Sequence, residues 1–443
     1  VTSFNERKQI LNKILKSVIH SMNPKVALKN AIKLTDQTLL LGKANFKLND
    51  IGKIKVLALG KSAVPMFEGM EEACSLFQHK IVERLVISPF AQKKTPEHIK
   101  LSPYPYPDDS AEKLAQDALL FARDLKQEDL LIVLASGGVH GQLSLCPQGI
   151  DIKAKAKMLE LLSKAGATHL DTNILMKHLS GFEGGTLLGN QSKTQVVILY
   201  TTDQSQESAD TIAGGLFSPD ASTFTQALKI IETYDLVADT PKNVMNHLRA
   251  GAEGKIPDTL KPQIGKAGAH AYCIRNPRDM VNVAARACES TGMLPQMPYP
   301  IIEYNIEDVA RRYTAWIHQA RSRLIQRPII LVGGGKPRLK LSGKAQGGRC
   351  QHLALLMAKP IAEDKAATFA AMASDGMDGV QDIGGAMLST QTMQKAKEKK
   401  INPDKYIGKF DSYQFHEDLG THISSKPTEV SLGDLHLLCL EPG

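Results

Sequence analysis

Val196-Val197-Ile198-Leu199-Tyr200-Thr201-Thr202-Asp203 is the stretch whose reading decides the fold. Its first five residues are apolar or aromatic without a break. A short run of that kind is expected for a strand covered on both faces, as in a parallel sheet. Gln204-Ser205-Gln206-Glu207-Ser208 has loop composition, which puts Asp203 at the strand's carboxyl end. Open α/β sheets bind their ligands at that edge. Capping a following helix is the plainer role open to the same carboxylate.

Two stretches upstream repeat the pattern. Val56-Leu57-Ala58-Leu59 runs into Gly60-Lys61-Ser62-Ala63 and then a helical pattern through Met66, Met70 and Cys74. A glycine turn before a helix lets an anion approach free N–H groups and the positive end of the dipole, with Lys61 above it. Lys55 stands where a P-loop requires glycine, so a Walker A loop is rejected. Leu130-Leu131-Ile132-Val133-Leu134-Ala135 likewise ends in Ser136-Gly137-Gly138-Val139-His140-Gly141, a phosphate-cradling layout. With Leu85–Ser88 as a strand and helices over Ser110–Leu125 and Lys153–Ala165, β and α alternate, which makes the class α/β with a parallel sheet.

Ile10, Leu11, Ile14, Leu15, Val18, Ile19 and Met22 form one helical stripe stopped at Asn23-Pro24. Residues 237–270 lose periodicity and suggest an inter-domain connection. Helices follow over Asp279–Ser290 and Ile306–Ile325. Pro328–Val332 then leads into Gly333-Gly334-Gly335, and Gly347-Gly348-Arg349 opens another helix. An arginine at such a turn can clamp a carboxylate or phosphate with two parallel bonds. The strand Phe369–Ala373 ends in Ser374-Asp375-Gly376-Met377-Asp378-Gly379. Asp375 and Asp378 are candidate metal ligands there, although Asp-Gly pairs also simply make turns. Leu435–Leu440 is the final strand expected.

The chain's 443 residues, 42% hydrophobic and 23% charged, suit about two folded domains. The net charge of +8 is spread rather than gathered and aromatics are only 5%, which argues against nucleic-acid binding. Six separated cysteines without a Cys-x-x-Cys pair point to reduced thiols in a cytoplasmic chain. Val1–Lys8 leads into no apolar leader core, and no apolar run matches a bilayer's thickness.

Taken in order, these motifs resemble the glycerate 2-kinase family, whose members end in a MOFRL domain and are sometimes labelled hydroxypyruvate reductases. The resemblance runs through Leu59-Gly60-Lys61-Ser62-Ala63, Tyr104-Pro105-Tyr106-Pro107-Asp108-Asp109, Ser136-Gly137-Gly138, Lys177-His178-Leu179-Ser180 and Gly184-Gly185. It continues with Thr202-Asp203, Ile212-Ala213-Gly214-Gly215, Ser218-Pro219-Asp220, Gly347-Gly348-Arg349 and Ser374–Gly379. It implies a larger N-terminal Rossmann-like parallel sheet with helices on both faces over 4–245, a helical connecting segment over 246–325, and a smaller α/β MOFRL-type domain over 326–443. The implied reaction transfers the γ-phosphoryl of ATP, with Mg²⁺, to the 2-hydroxyl of D-glycerate or a related hydroxy acid in a cleft between domains.

In that reading Lys61, Asp203 and Arg349 are catalytic. Gly60, Ser136, Gly137, Gly138, Gly347 and Gly348 bind nucleotide phosphates, and Lys177 and His178 bind substrate. Asp203 would orient the hydroxyl and accept its proton, while Lys61 and Arg349 neutralise charge. The partner is a small molecule, without nucleic acid or membrane, and a homodimer is left open.

Several positions depart from the family pattern. Val139-His140 replaces Gly-Ser, and Met176, Glu183 and Thr186 replace Arg, Lys and Arg. Gly335 replaces Glu, Tyr304-Asn305-Ile306 replaces Gly-Glu-Ala, and Val430-Ser431 replaces Thr-Asn. Cys350 and His352 flank Gln351 in place of Asn and Glu. Losing positive side chains favours, as an alternative, a divergent non-catalytic binder of nucleotide or hydroxy acid. A hydroxypyruvate reductase is disfavoured, since no G-x-G-x-x-G joins a strand to a helix.

Overall fold

The computed structural model describes residues 4–90, 96–189, 195–205, 208–262, 269–340 and 346–442. Val1-Thr2-Ser3 of the segment read for a leader, Gln206-Glu207 of the loop after Asp203, and 263–268 of the expected connection lie outside the described residues. The chain divides into two compact units. The first comprises Pro24–Thr202 and Gln206–Ile274; the second comprises Val1–Asn23, Asp203–Ser205 and Arg275–Gly443. Among the described residues no helix is long and apolar enough to cross a membrane.

In the first unit β1 (Ile32–Leu34), β2 (Thr38–Leu41) and β3 (Ala44–Lys47) make a small antiparallel sheet. The main sheet contains β4 (Ile54–Leu59), β5 (Ile81–Ser88), β6 (Ile99–Leu101), β7 (Leu130–Ala135), β8 (Gln195–Thr201) and β9 (His270–Arg275), in the order β6-β5-β4-β7-β8-β9. The pairs β5–β6, β4–β5, β4–β7 and β7–β8 are parallel. The quoted run is β8, and it is buried on both faces as expected. Val197 and Leu199 enter the core beneath one face, while Val196, Ile198 and Tyr200 enter the core beneath the other. Register aligns Leu59 with Ala135 and Ala135 with Tyr200, so the turns after β4, β7 and β8 share one edge of the sheet.

Helices Ile152–Ala165, His169–Lys177, Phe224–Thr233 and Lys242–Ala252 form a separate apolar cluster around Met158, Leu162, Leu175, Ile231 and Leu248. Thr223 begins the third of these with a reciprocal capping box to Gln226. The helix Lys242–Ala252 lies within the stretch expected to be irregular, and the units divide at Ile274 and Arg275.

In the second unit β10 (Leu294–Gln296), β11 (Ile301–Ile302), β12 (Ile329–Gly335), β13 (Ala367–Ala373), β14 (Ile383–Ser389), β15 (His422–Ser424) and β16 (Asp434–Leu440) form a mixed sheet. Its order is β10-β12-β16-β13-β14-β15, with β11 also paired to β12. β10 and β11 run parallel to β12, and the remaining pairs are antiparallel. Helices Ile306–Arg321 and Arg349–Glu363 cover one face.

Helices Phe4–Ser21 and Pro277–Glu289 cover the other face, where Leu11, Ile14, Leu15 and Val18 meet Met280, Val281, Ala284 and Cys288. This division departs from the expected boundaries at 245/246 and 325/326. The first helix and both helices assigned to the connecting segment belong to the second unit, because its sheet needs apolar cover on both faces. Arg7 joins the two ends of that unit, donating to Thr368 Oγ1 at 3.0 Å and pairing with Glu441 at 3.2 Å.

Candidate active site

In the first unit the turns after β4 and β7 are built against each other. Gly60 has φ +108, and a Cβ there would lie 2.4 Å from the carbonyl oxygen of Ser136, so only glycine fits. Lys61 N donates to Gly137 O at 3.1 Å, Ser62 N to Ser136 Oγ at 2.9 Å, and Ala63 N to Gly60 O at 3.2 Å. These three N–H groups, expected to face an anion, are therefore already satisfied by the protein. The ammonium of Lys61 lies 4.9 Å above the Tyr104 ring, and its Cγ is 3.5 Å from where a Cβ of Gly138 would be. The structure thus brings Gly60, Lys61, Ser136, Gly137 and Gly138 together.

Lys177 and His178 are placed otherwise. Lys177 is 3% exposed and pairs with Asp220 at 3.3 Å, and Asp220 also accepts from Ser222 and Thr259. Burial pushes the Asp220 carboxyl upward, but Lys177 and those donors outweigh it and hold the group below its ordinary value. His178 Nδ1 faces Ile174 O at 2.8 Å and Nε2 faces Asp258 Oδ1 at 3.2 Å, with the ring edge-on to Phe224. Both side chains tie the helical layer to neighbouring loops.

In the second unit the predicted residues gather where β12 and β13 end and β16 begins. Arg349 opens its helix and donates through Nε and Nη2 to the two oxygens of Asp434, each at 2.8 Å. Asp434 is opposite Gly335 in one neighbouring strand and Ala373 in the other. Cys350 and His436 complete the one buried group of potential metal ligands among the described residues. Arg349 already takes both oxygens of Asp434, which suits an anchor better than a metal. Burial first, then Asp434 and Asp378, push the Cys350 thiol well above its ordinary value, and burial lowers His436 to about 4. Tyr313 bonds to His436 Nδ1 at 2.9 Å, and Arg349 engages both oxygens of Asp434.

Asp378 caps the Arg349 helix. Its carboxylate accepts from Cys350 N at 3.0 Å, Gln351 N at 2.7 Å and Gln351 Nε2 at 3.1 Å. Burial first, and then Asp434, raise it to about 6 against those hydrogen bonds. A Cβ on Gly348 would lie 2.2 Å from Asp378 Oδ1, and one on Gly379 would lie 2.6 Å from Gly347 O. Gly347 and Gly348 therefore permit close approach of the Asp378-Gly379 loop. Half-buried Asp375 accepts from Met377 N at 3.1 Å, which makes it a turn residue.

Asp203 joins the second unit. Its Oδ2 pairs with Lys336 Nζ at 2.6 Å and its Oδ1 accepts from Gln204 Nε2 at 2.5 Å, while Ser205 N donates to Glu303 at 3.0 Å. Sequence reasoning missed Lys336 and Asp434. The signal for Lys336 was a lysine directly after the glycines that end β12, the arrangement already noticed at Gly60-Lys61. Asp434 offered none, since an acid heading a strand is unremarkable without its partner.

Comparison with known proteins follows the same order of elements. Residues 10–249 match the family model described as "Domain of unknown function (DUF4147)", and residues 329–434 match the MOFRL family. A glycerate 2-kinase of Pyrococcus horikoshii is 26% identical over 97% of this chain and 96% of its own length. A D-glycerate 2-kinase of Thermotoga maritima is 26% identical over 97% of each. The crystal structure of a glycerate kinase from Thermotoga maritima matches with a TM-score of 0.77 at 23% identity, covering 99% of this chain and 100% of that one, which shows the shared fold. With more than half of its residues matched by one family model, the chain belongs to the DUF4147 family and carries a MOFRL family region after it.

Proposed function

We propose that this protein is a glycerate 2-kinase, transferring the γ-phosphoryl of MgATP to the 2-hydroxyl of D-glycerate to give 2-phosphoglycerate. The observation that carries the reading is the nearly full-length likeness to two such kinases. Phosphoryl transfer needs positioning and charge neutralisation more than covalent help. Lys61, beside the stitched turns of β4 and β7, is suited to neutralise phosphate oxygens. Arg349, held flat by Asp434 and still 31% exposed along its side chain, is suited to grip a carboxylate or phosphate through its remaining donors. Asp203, tied to Lys336, acts as a fixed negative charge that orients the hydroxyl.

Magnesium enters with the nucleotide. Asp203, Asp378 and Asp434 already commit both oxygens to Lys336 and Gln204, to the helix start, and to Arg349, so these carboxylates do not form a magnesium cage. Mg²⁺ binding sites of this kind commonly lean on substrate phosphates and water.

The test is an assay with MgATP and D-glycerate coupled through enolase, which accepts the 2-phosphate but not the 3-phosphate. ADP release with signal from enolase is the expected result. ADP release without that signal would overturn the position of transfer, and no ADP release with any small hydroxy acid would overturn the activity.

A further inference from the structure

His140 and Glu183 depart together from the family pattern, and neither has a role above. They belong to the first unit and meet there, His140 Nδ1 to Glu183 Oε1, at 2.8 Å. The Glu183 side chain is 0% exposed and that of His140 is 14% exposed. Burial works to raise the carboxyl, yet Lys155, His140 and Lys177 outweigh it and hold Glu183 below its ordinary value. An ionised carboxylate can only accept, so Nδ1 carries the shared proton, and in the neutral ring Nε2 carries the lone pair. Among the described residues Nε2 has no hydrogen-bond partner.

The dyad is rigidly supported. Gly214, at φ +70, packs its backbone on Glu183, since a Cβ there would lie 2.7 Å from Glu183 Cγ. Gly184 N and Gly185 N donate to Gly214 O and Gly215 O at 2.9 and 2.8 Å, fixing the segment that carries Glu183. His140 follows Gly138 by two residues on the turn against which Lys61 lies. A carboxylate that orients an imidazole, on the turn after β7 at the ligand edge of a parallel sheet, is the geometry of a general base.

We propose that His140 is the proton acceptor for the substrate hydroxyl and that Glu183 is its positioning residue, an assignment that rests on the kinase reading. The hydroxyl proton passes to His140 Nε2 as that oxygen bonds to the γ-phosphorus. The bond from this phosphorus to the β,γ-bridging oxygen breaks, and its electron pair leaves with ADP. The imidazolium, steadied by Glu183, then returns its proton to water. Lys61, Lys155 and Lys177 are the cations nearby and Asp220 the further acid, with Lys177 and Asp220 paired to each other.

The test compares full-length wild type with His140→Gln and Glu183→Gln across pH, with melting curves to confirm folding. His140→Gln should lose on the order of 10²–10³ in kcat with KM for MgATP unchanged, and the acidic limb of the pH profile should vanish. Glu183→Gln should fall between the two and move that limb to lower pH, because the imidazolium loses its stabilising charge. Independently of activity, ¹⁵N spectra of wild type should show His140 protonated at Nδ1 near neutral pH. Active wild type with His140→Gln unchanged in rate and profile overturns this assignment alone, as does an Nε2–H tautomer. Wild type inert towards MgATP and every hydroxy acid overturns the kinase reading and this assignment with it.

Discussion

Arg349 and Asp434 meet through two parallel hydrogen bonds of 2.8 Å, with the carboxylate wholly buried and the Arg349 side chain 31% exposed. The buried partner therefore sets where the exposed one points. Asp434→Asn should leave Arg349 without its clamp and cost about 3 kcal/mol of stability. It should also lower kcat/KM by on the order of 10². Urea denaturation and steady-state kinetics check the two effects, and a double-mutant cycle with Arg349→Lys measures their coupling.

Lys61→Ala, by contrast, removes a charge from a turn held by backbone bonds to Gly137 and Gly60 and by the Ser136 hydroxyl. Its kcat/KM should fall on the order of 10²–10³ while the melting temperature stays within experimental scatter. A large loss of melting temperature would mean that the ammonium is structural.

Gly348→Ala places a methyl 2.2 Å from Asp378 Oδ1 and 2.5 Å from the Asp378 carbonyl carbon. Backbone has to move, and with it the carboxylate that caps the Arg349 helix. We expect on the order of 2 kcal/mol of destabilisation, read by thermal or urea unfolding.

The second unit should also be acid-labile. Burial lowers His416 to about 3, and His352 and His436 to about 4, so all three are neutral in the fold. A histidine depressed in this way stabilises the fold above its unfolded value near 6.5, and that stability is lost as pH falls toward the folded value. Each contributes about 1.4 kcal/mol per pH unit in that window. Asp378, raised to about 6, has the opposite sign, giving stability below about 4 that is lost as pH rises through 6. Three groups against one leave the net slope falling toward acid. His416→Gln should flatten this slope by about 1.4 kcal/mol per pH unit in urea titrations between pH 5 and 6.5.

Much of the first unit was legible because its signals are local. Five consecutive apolar residues name β8, and a glycine after each of two buried strands names the turns that register then sets side by side. What remained hidden depends on partners far along the chain. Lys336 is 133 residues from Asp203, and Asp434 is 85 from Arg349. Asp378 in an Asp-Gly turn reads alike as ligand or cap until the helix it faces is known. His140 and Glu183 looked like separate losses, though together they make one hydrogen-bonded pair. The amphipathic stripe from Ile10 to Met22 was correctly read as packing, but a stripe does not say which sheet it will cover.

That last point reaches into biosynthesis. Arg7 stands 361 and 434 positions before Thr368 and Glu441, the groups it bonds. A ribosome makes the helix Phe4–Ser21 before any strand of the sheet it covers, so its apolar stripe waits on the later strands before it can be buried against them. Synthesis and burial run in opposite orders for this helix.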